Sequence, residues 1–282
     1  MKTADTGKIS VIMGVFYRRP DTALLERSVR SILAQTYRDF EFLICDDGST
    51  WEAMTLLKQF EKQDSRVRLV RGIEATDLSS KLNACLHLAQ GTYIARMDDD
   101  DWSAPDRLEK QIQALESRPD IAFVGSNVLL CRDGENCGER RFPEYPQVED
   151  FYMTQPYIHP SLMFRKEALD SVGGYSEDER QILCEDYDLL LRLYAKGLRG
   201  MNLQESLLTY SIPTAAKGNR KMRHRWNETV TRYARFRELG ALPKAWPYVL
   251  KPLAVGLFPP ETLQKIKAQR EKRCSDGSTA QN

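Results

Sequence analysis

Over about the first 130 residues, short apolar runs alternate with stretches of helical periodicity, and this limits the available folds more than any other feature of the chain. The runs Ile9 to Phe16, Phe40 to Cys45, Val67 to Val70, Tyr93 to Met97 and Ile121 to Leu130 predict strands. Between them, Leu24 to Leu33, Trp51 to Phe60, Leu78 to Ala89 and Pro105 to Leu115 space their apolar residues as helices do. Strands that are apolar on both faces need cover on both, and crossover helices supply it. An α/β fold with a mostly parallel sheet is expected, and in such sheets ligands gather at the carboxyl ends of the strands.

The second half is less regular. Arg132 to Arg141 is polar and contains Gly, as a hairpin tip would. Ser161 to Phe164 and Leu207 to Ile212 predict strands, Asp186 to Tyr194 a helix, and Gly197 its C-cap. From Asn219 the pattern is helical and basic: residues 217–237 hold eight Lys or Arg against one acid, Glu228. The segment Trp246 to Phe258 is apolar but interrupted by Pro247, Pro252 and Gly256. Residues 274–282 have the composition of a disordered tail.

Lys plus Arg (41) nearly balances Asp plus Glu (40), which gives no support for bulk nucleic-acid binding. The six cysteines form no C-x-x-C pair, so neither a zinc site nor a thioredoxin-like motif is expected, and they read as reduced cytosolic thiols. Met1 to Lys8 carries no signal-peptide core, and no run reaches the roughly 18 apolar residues of a spanning helix.

Two acidic clusters sit at predicted strand ends. Asp98, Asp99, Asp100 and Asp101 follow the fourth strand, and like charge stacked there costs stability unless a cation offsets it. A hard divalent ion takes one or two carboxylates plus substrate phosphates, so the quartet points to metal-assisted chemistry on a phosphorylated ligand. Solvated helix capping is the simpler alternative. Asp46-Asp47-Gly48-Ser49-Thr50 follows the second strand, where a carboxylate can read a nucleoside or merely build a turn. Farther along come His159-Pro160, Gly173-Gly174-Tyr175 and Glu185-Asp186-Tyr187-Asp188, the last at a helix start where carboxylates are also ordinary caps.

Together with Ile9-Ser10-Val11-Ile12-Met13, Ser31 to Tyr37, Ala95-Arg96-Met97 and Pro105-Asp106-Arg107-Leu108, these motifs stand in an order that resembles family 2 inverting glycosyltransferases of the GT-A fold, such as those of bacterial surface polysaccharides, from about Lys8 to about Ile212. The resemblance implies a Rossmann-like α/β domain over residues 1–215, with a nucleotide-sugar half at about 8–130 and an acceptor half at about 131–215. A helical basic extension over 216–273 would follow. It implies a nucleotide-sugar donor, usually a UDP-sugar, and a glycan or lipid-linked acceptor. Val15, Phe16 and Tyr17 would line the nucleoside pocket and Asp47 would read the base. Asp98 and Asp100 would form the D-x-D pair, with Asp100 the direct ligand of Mn²⁺ or Mg²⁺. Asp186 would be the general base, with His159 and Glu185 at the acceptor or behind it.

Some positions depart from that pattern. Gly14 stands where relatives often have Pro, and Ser211 and Pro213 where they often have an Arg and a His near the diphosphate, leaving Lys217 or Arg220 as substitutes. Met222 replaces the Gln of the processive Q-x-x-R-W motif ahead of Arg225-Trp226, favouring single addition. A cytoplasmic protein is expected, and the basic, apolar C-terminal third reads either as a region that attaches to the inner face of the membrane or as a helical cap packed on the catalytic domain with a solvated basic face. The competing functional reading is a glycosyltransferase-like protein that has lost catalysis and binds sugar nucleotides or glycans. A phosphotransfer domain with an acceptor aspartate fits poorly, because Glu185-Asp186 lies so far downstream.

Overall fold

A computed structural model describes residues 8–19, 21–71, 77–132, 134–212 and 221–257. The chain runs β1 (Ile9–Val15), α1 (Ala23–Leu33), β2 (Phe40–Asp46), α2 (Trp51–Gln63), β3 (Val67–Val70), α3 (Leu78–Leu88), β4 (Tyr93–Arg96), β5 (Trp102–Ser103), α4 (Arg107–Ser117), β6 (Phe123–Arg132) and β7 (Glu135–Arg140). It continues with β8 (Met163–Arg165), α5 (Lys166–Ser171), α6 (Glu185–Ala195), β9 (Gly200–Ser211), α7 (Met222–Glu238) and α8 (Leu242–Gly256).

One sheet takes in every strand, in the order β3-β2-β1-β4-β8-β6-β9-β5, with β7 beside β6. The parallel pairing expected from the apolar strands holds for β3, β2, β1 and β4. Beyond β4 the sheet is mixed: β8 runs antiparallel to both β4 and β6, β6 and β9 are parallel, and β5 and β7 are antiparallel edges. The departure has a local cause. No helix separates β6 from β7, so the chain reverses directly, and the segment 132–141 is largely a strand rather than only a tip.

Alternation along β1 divides the core. Ile9, Val11, Met13 and Val15 face a layer built with Leu25 and Val29 of α1, Leu57 and Phe60 of α2, and Leu108 and Ile112 of α4. Ile12 faces the opposite layer, with Leu82 and Cys85 of α3, Leu190 of α6, Phe236 of α7 and Val249 of α8. Period-two strands buried on both faces require these two layers. Gly14 lies inside β1, where a Cβ would sit 3.0 Å from Leu78 Cδ1 and 3.2 Å from Lys81 Cβ. The missing side chain lets α3 lie close to the strand.

Helix α8 runs through Pro247 and Pro252 without a break in its assigned span, where the sequence suggested interruption. Phe258, the tail at 274–282, and Pro213, Lys217 and Arg220 lie outside the described residues. The described cysteines, Cys45, Cys85, Cys131, Cys137 and Cys184, carry free thiols. No helix among the described residues is long and apolar enough to cross a membrane.

Candidate active site

The carboxyl ends of β1 and β2 lie side by side, Val15 opposite Asp46. Asp46 builds the turn: its Oδ2 accepts from the N–H of Gly48 at 3.1 Å and of Ser49 at 3.3 Å, and Gly48 takes the φ of +74° that the turn needs. Asp47 is spared that task. Its side chain is 32% exposed and faces the Lys81 ammonium, 3.8 Å from Oδ2. Lys81, buried on α3, also donates to the Val15 carbonyl at 3.1 Å and stands 5.3 Å from the centre of the Phe16 ring. Phe16 is 51% exposed, a flat apolar surface beside a carboxylate and a cation. Its loop is tied down by Tyr17 N–H donating to Ser49 Oγ at 2.8 Å and Thr50 N–H donating to the Tyr17 carbonyl at 2.9 Å. Sequence reasoning missed Lys81. Its signal was a lysine on the apolar side of a predicted helix, beside Leu78 and Leu82.

The acidic quartet follows β4 and divides into distinct roles. The fully buried Arg96 pairs with Oδ1 of Asp98 and donates to the Met97 carbonyl. Arg107, also fully buried, braces this corner by donating to the Arg96 carbonyl at 2.7 Å and to Ser103 Oγ at 2.9 Å. Asp99 turns back to β1 and accepts the Phe16 N–H; burial, with Asp98 and Asp100 adding to it, pushes its carboxyl up to about 7. Asp101 is buried, accepts from Ser211 N–H at 2.8 Å through Oδ1 and leaves Oδ2 unpartnered. Burial first, then Asp98, raises its carboxyl above the ordinary range. Ser211 Oγ donates to the Asp100 carbonyl at 2.5 Å, fixing that residue's backbone. The like charges at the strand end are thus offset in part by one buried arginine, while burial raises the carboxyls of Asp99 and Asp101.

Among the described residues, no three His, Cys, Asp or Glu side chains gather as a ready-made metal cage. What the strand end offers is hard oxygen from Asp98 and Asp100. That donor set fits Mg²⁺ or Mn²⁺ when the phosphates of a bound substrate complete the shell.

The second acidic group is set by a sharp entry into α6. Leu183 takes a φ of +67°, a strained value for a residue with a side chain, and α6 begins two residues later. Glu185 folds back so that Oε2 accepts the Cys184 N–H at 2.8 Å, and burial followed by the neighbouring Asp186 pushes its carboxyl up to about 7. Asp186 is held at both oxygens: Oδ1 accepts the Tyr187 N–H at 2.7 Å and Oδ2 accepts Gln155 Nε2 at 3.0 Å.

His159 lies beneath the surface, with Nε2 2.8 Å from the Tyr175 hydroxyl; burial, assisted by Arg96, lowers its pKa, so the ring is neutral. Tyr175 is delivered there by Gly173 and Gly174, at φ of +73° and +70°, and its backbone is clamped by Asn83 at 2.9 and 2.8 Å. The Tyr175 hydroxyl is pushed up by burial, opposed by Arg96 and reinforced by Asp186, Asp98 and Glu185. Tyr210 of β9 is pushed up by burial and then by Asp101, Asp98, Asp100 and Asp186. Both hydroxyls lie within electrostatic reach of both acidic groups, the one after β4 and the one at the start of α6.

Helix α7 braces the start of α6. Thr231 Oγ1 donates to Gln181 Oε1 at 2.8 Å, just before the Leu183 turn. Asp188 on α6, with no exposed surface, accepts from Arg192 Nε at 2.7 Å and from Arg235 Nε of α7 at 2.8 Å.

Residues 10–173 match the sequence family described as glycosyl transferase family 2, and residues 93–263 match glycosyl transferase family group 2. EpsE of Bacillus subtilis is 32% identical over 96% of either chain. The O-antigen biosynthesis glycosyltransferase WbnJ of Escherichia coli is 36% identical over 72% of this chain and 79% of its own. Among solved structures, TarS 1–349 of S. aureus in complex with UDP-GlcNAc superimposes with a TM-score of 0.67 at 14% identity, covering 86% of this chain and 73% of that one. The mannosyltransferase PcManGT of Pyrobaculum calidifontis, in complex with GDP-Man and Mn²⁺, gives 0.60 at 16% identity over 94% and 79%. At those identities the structural likeness establishes the fold, a GT-A-like mixed sheet with helices, while the sequence matches go further: the chain is an enzyme of glycosyltransferase family 2.

Proposed function

We propose that this enzyme moves a sugar from a UDP-sugar to a hydroxyl of a glycan or lipid-linked acceptor, with inversion, in the assembly of a surface polysaccharide. The observation that supports this reading is that Tyr210 of β9 lies within electrostatic reach of Asp98, Asp100 and Asp186 together. In this reading the carboxylates of the donor side and of the acceptor side serve one site. Phe16 offers a face for the base, Asp47 an acceptor for a ring N–H, and Asp98 and Asp100 the donor-phosphate side. Asp100, with Asp98, would hold Mn²⁺ or Mg²⁺, which when bound offsets the charge developing on the departing diphosphate. The Mn²⁺ bound to PcManGT supports that assignment.

Asp186 takes the proton from the acceptor hydroxyl as it attacks the anomeric carbon from the face opposite the leaving group. Its bonds from Tyr187 and Gln155 fix the carboxylate plane before the acceptor arrives. Surface glycan assembly is the named task of WbnJ, and WfaP of Escherichia coli, 28% identical over 69% of this chain, is named for glucosyl transfer from UDP-Glc to a diphosphoundecaprenol-linked sugar. The domain division suggested by the sequence, residues 1–215 catalytic and 216–273 an extension, is retained as part of this proposal. The test is a panel of nucleotide-sugars scored for slow donor hydrolysis with Mn²⁺. Turnover of one UDP-sugar above the others supports the reading, and preference for a GDP- or CMP-sugar removes the uridine assignment.

A further inference from the structure

The hairpin of α7 and α8 carries an exposed stripe that the fold does not use. Met222, Trp226 and Tyr233 are exposed at positions i, i+4 and i+11 of α7, and Trp246 and Leu250 of α8 with Leu257, the residue that caps it, are exposed at the same spacing. Residues so spaced share one helix face. The helices run antiparallel with these faces adjacent: the Tyr233 and Trp246 rings lie 6.1 Å apart at one end, and at the other a Cβ on Gly256 would meet Met222 Cε at 2.9 Å. Trp226 is 58% and Leu257 80% exposed, far from what packing against the catalytic domain would leave.

The surroundings are basic. Residues 221–257 hold eight Lys or Arg against two acids, and both acids, Glu228 and Glu238, are engaged by Arg232 and Arg235. Lys221, Arg237 and Lys244 are exposed on the same hairpin. The sequence beyond it, 258–282, adds five Lys or Arg against three acids. Tryptophan and tyrosine among lysine and arginine suit the boundary between acyl chains and anionic headgroups.

Other residues of the same hairpin reach the surroundings of Asp186. Lys251 Nζ donates to the carbonyl of Met153, itself exposed, and two residues on Gln155 holds Asp186. Exposed Leu183 lies on the other flank, in the turn that Thr231 of α7 secures through Gln181. We infer that the α7–α8 face docks on an anionic lipid surface and thereby presents the Asp186 side of the cleft to a membrane-borne acceptor. The docking surface stands on its own geometry, while the acceptor class rests on the proposed function.

The test is co-sedimentation of the full chain with vesicles of phosphatidylcholine alone and of phosphatidylcholine mixed with phosphatidylglycerol. Binding to the anionic vesicles should exceed binding to the neutral ones by at least about tenfold at low salt and fade as salt is raised. The exposed pair Trp226→Ser and Leu250→Ser should lose at least about tenfold in vesicle binding while keeping its thermal melt and its donor hydrolysis in solution. Transfer to a lipid-linked acceptor in the same vesicles should fall with the binding. Equal retention in the supernatant with both vesicle types overturns the inference, as does vesicle binding that survives the double substitution. A concentration-dependent dimer that the double substitution dissolves, without vesicle binding, would assign the face to a second copy instead. Loss of donor hydrolysis by every nucleotide-sugar would sink the proposed function and leave the docking result standing.

Discussion

Arg235 and Asp188 join α7 to α6 through an ion pair of 2.8 Å around a carboxylate that has no exposed surface. Arg192 takes the other oxygen at 2.7 Å. Asp188 lies two residues beyond Asp186, so the pair ties the candidate base's helix to the C-terminal extension. Removing one partner of a buried pair strands charge rather than merely deleting a contact. Arg235→Met should therefore cost about 1–3 kcal/mol of stability, the range for leaving a buried polar group short of a partner. The double change Arg235→Met with Asp188→Asn should cost less than the sum of the two singles, because both remove one network. Chemical denaturation of the four species measures this, and additivity would show that the pair is not coupled.

Much of the nucleotide half was legible because its signals are local. Apolar strands, amphipathic helices and Gly-containing ends all lie within single windows of sequence, and β1 to β4 formed where those windows placed them. The mixed half was less so. The segment 132–141 is polar because its strand β7 is an exposed edge, and an exposed strand lacks the apolar alternation that marks a buried one. Helix α8 hid behind two prolines because tertiary packing of Ala245 and Val249 outweighs local propensity. At the site, Asp47 and the quartet could be named from order and spacing. The division of labour could not: the burial of Asp101 against Ser211 and Lys81 facing Asp47 depend on residues brought together from distant sequence.

The donor phosphates and Asp100 are joined in the proposed reading by a divalent cation. Chelation with EDTA should abolish transfer, and Mn²⁺ or Mg²⁺ should restore it. Asp100→Asn keeps the backbone that Ser211 Oγ holds and removes the charge, so the protein should melt normally and lose most of its activity. Undiminished transfer in chelator, by a protein stripped of metal, would remove the cation from the mechanism.

Asp47 and Lys81 stand 3.8 Å apart and, in the proposed reading, form the polar side of the nucleoside corner. Asp47→Ala should weaken UDP binding by about 1–3 kcal/mol, the range for a hydrogen bond involving a charge. UDP should bind the parent protein more tightly than GDP or CMP. Calorimetry decides both points, and equal affinities for the three nucleotides would show that Asp47 does not read the base.

Glu185 gives a pH signature of defined sign. Its carboxyl, ordinarily near 4.5, is pushed up to about 7 in the folded protein, chiefly by burial. Between those values the native state binds more protons than the unfolded chain, so stability from this group is present at low pH and lost as pH rises toward about 7. Glu185→Gln stays neutral throughout. Its melting temperature relative to the parent should be near zero below about pH 4 and positive at about pH 8. Asp99 shifts in the same direction but is present in both proteins and cancels in the difference. A difference that does not change with pH would place the Glu185 carboxylate in solvent.

Asp186 and Glu185 are neighbours with different surroundings, and substitution separates base from cap. Glu185 accepts the N–H of Cys184 just ahead of its own helix, as a capping carboxylate does. Asp186 also takes a hydrogen bond from Gln155, 31 positions earlier, which capping would not require. Asn at position 186 is isosteric: it can still accept from Tyr187, and Gln155 can turn its amide to present oxygen to the new NH₂. Asp186→Asn should therefore fold with nearly the parent's thermal melt, and UDP affinity should hardly change, because the base faces the acceptor. Turnover should fall by about 10²–10⁴-fold, the usual contribution of a general base. Glu185→Gln should be mild by comparison. Single-turnover transfer together with UDP affinity, on protein confirmed folded, makes the measurement. If Asp186→Asn transfers sugar at nearly the parent rate, the proton goes elsewhere, and Glu185, raised to about 7 and within the same turn, is the next group to test.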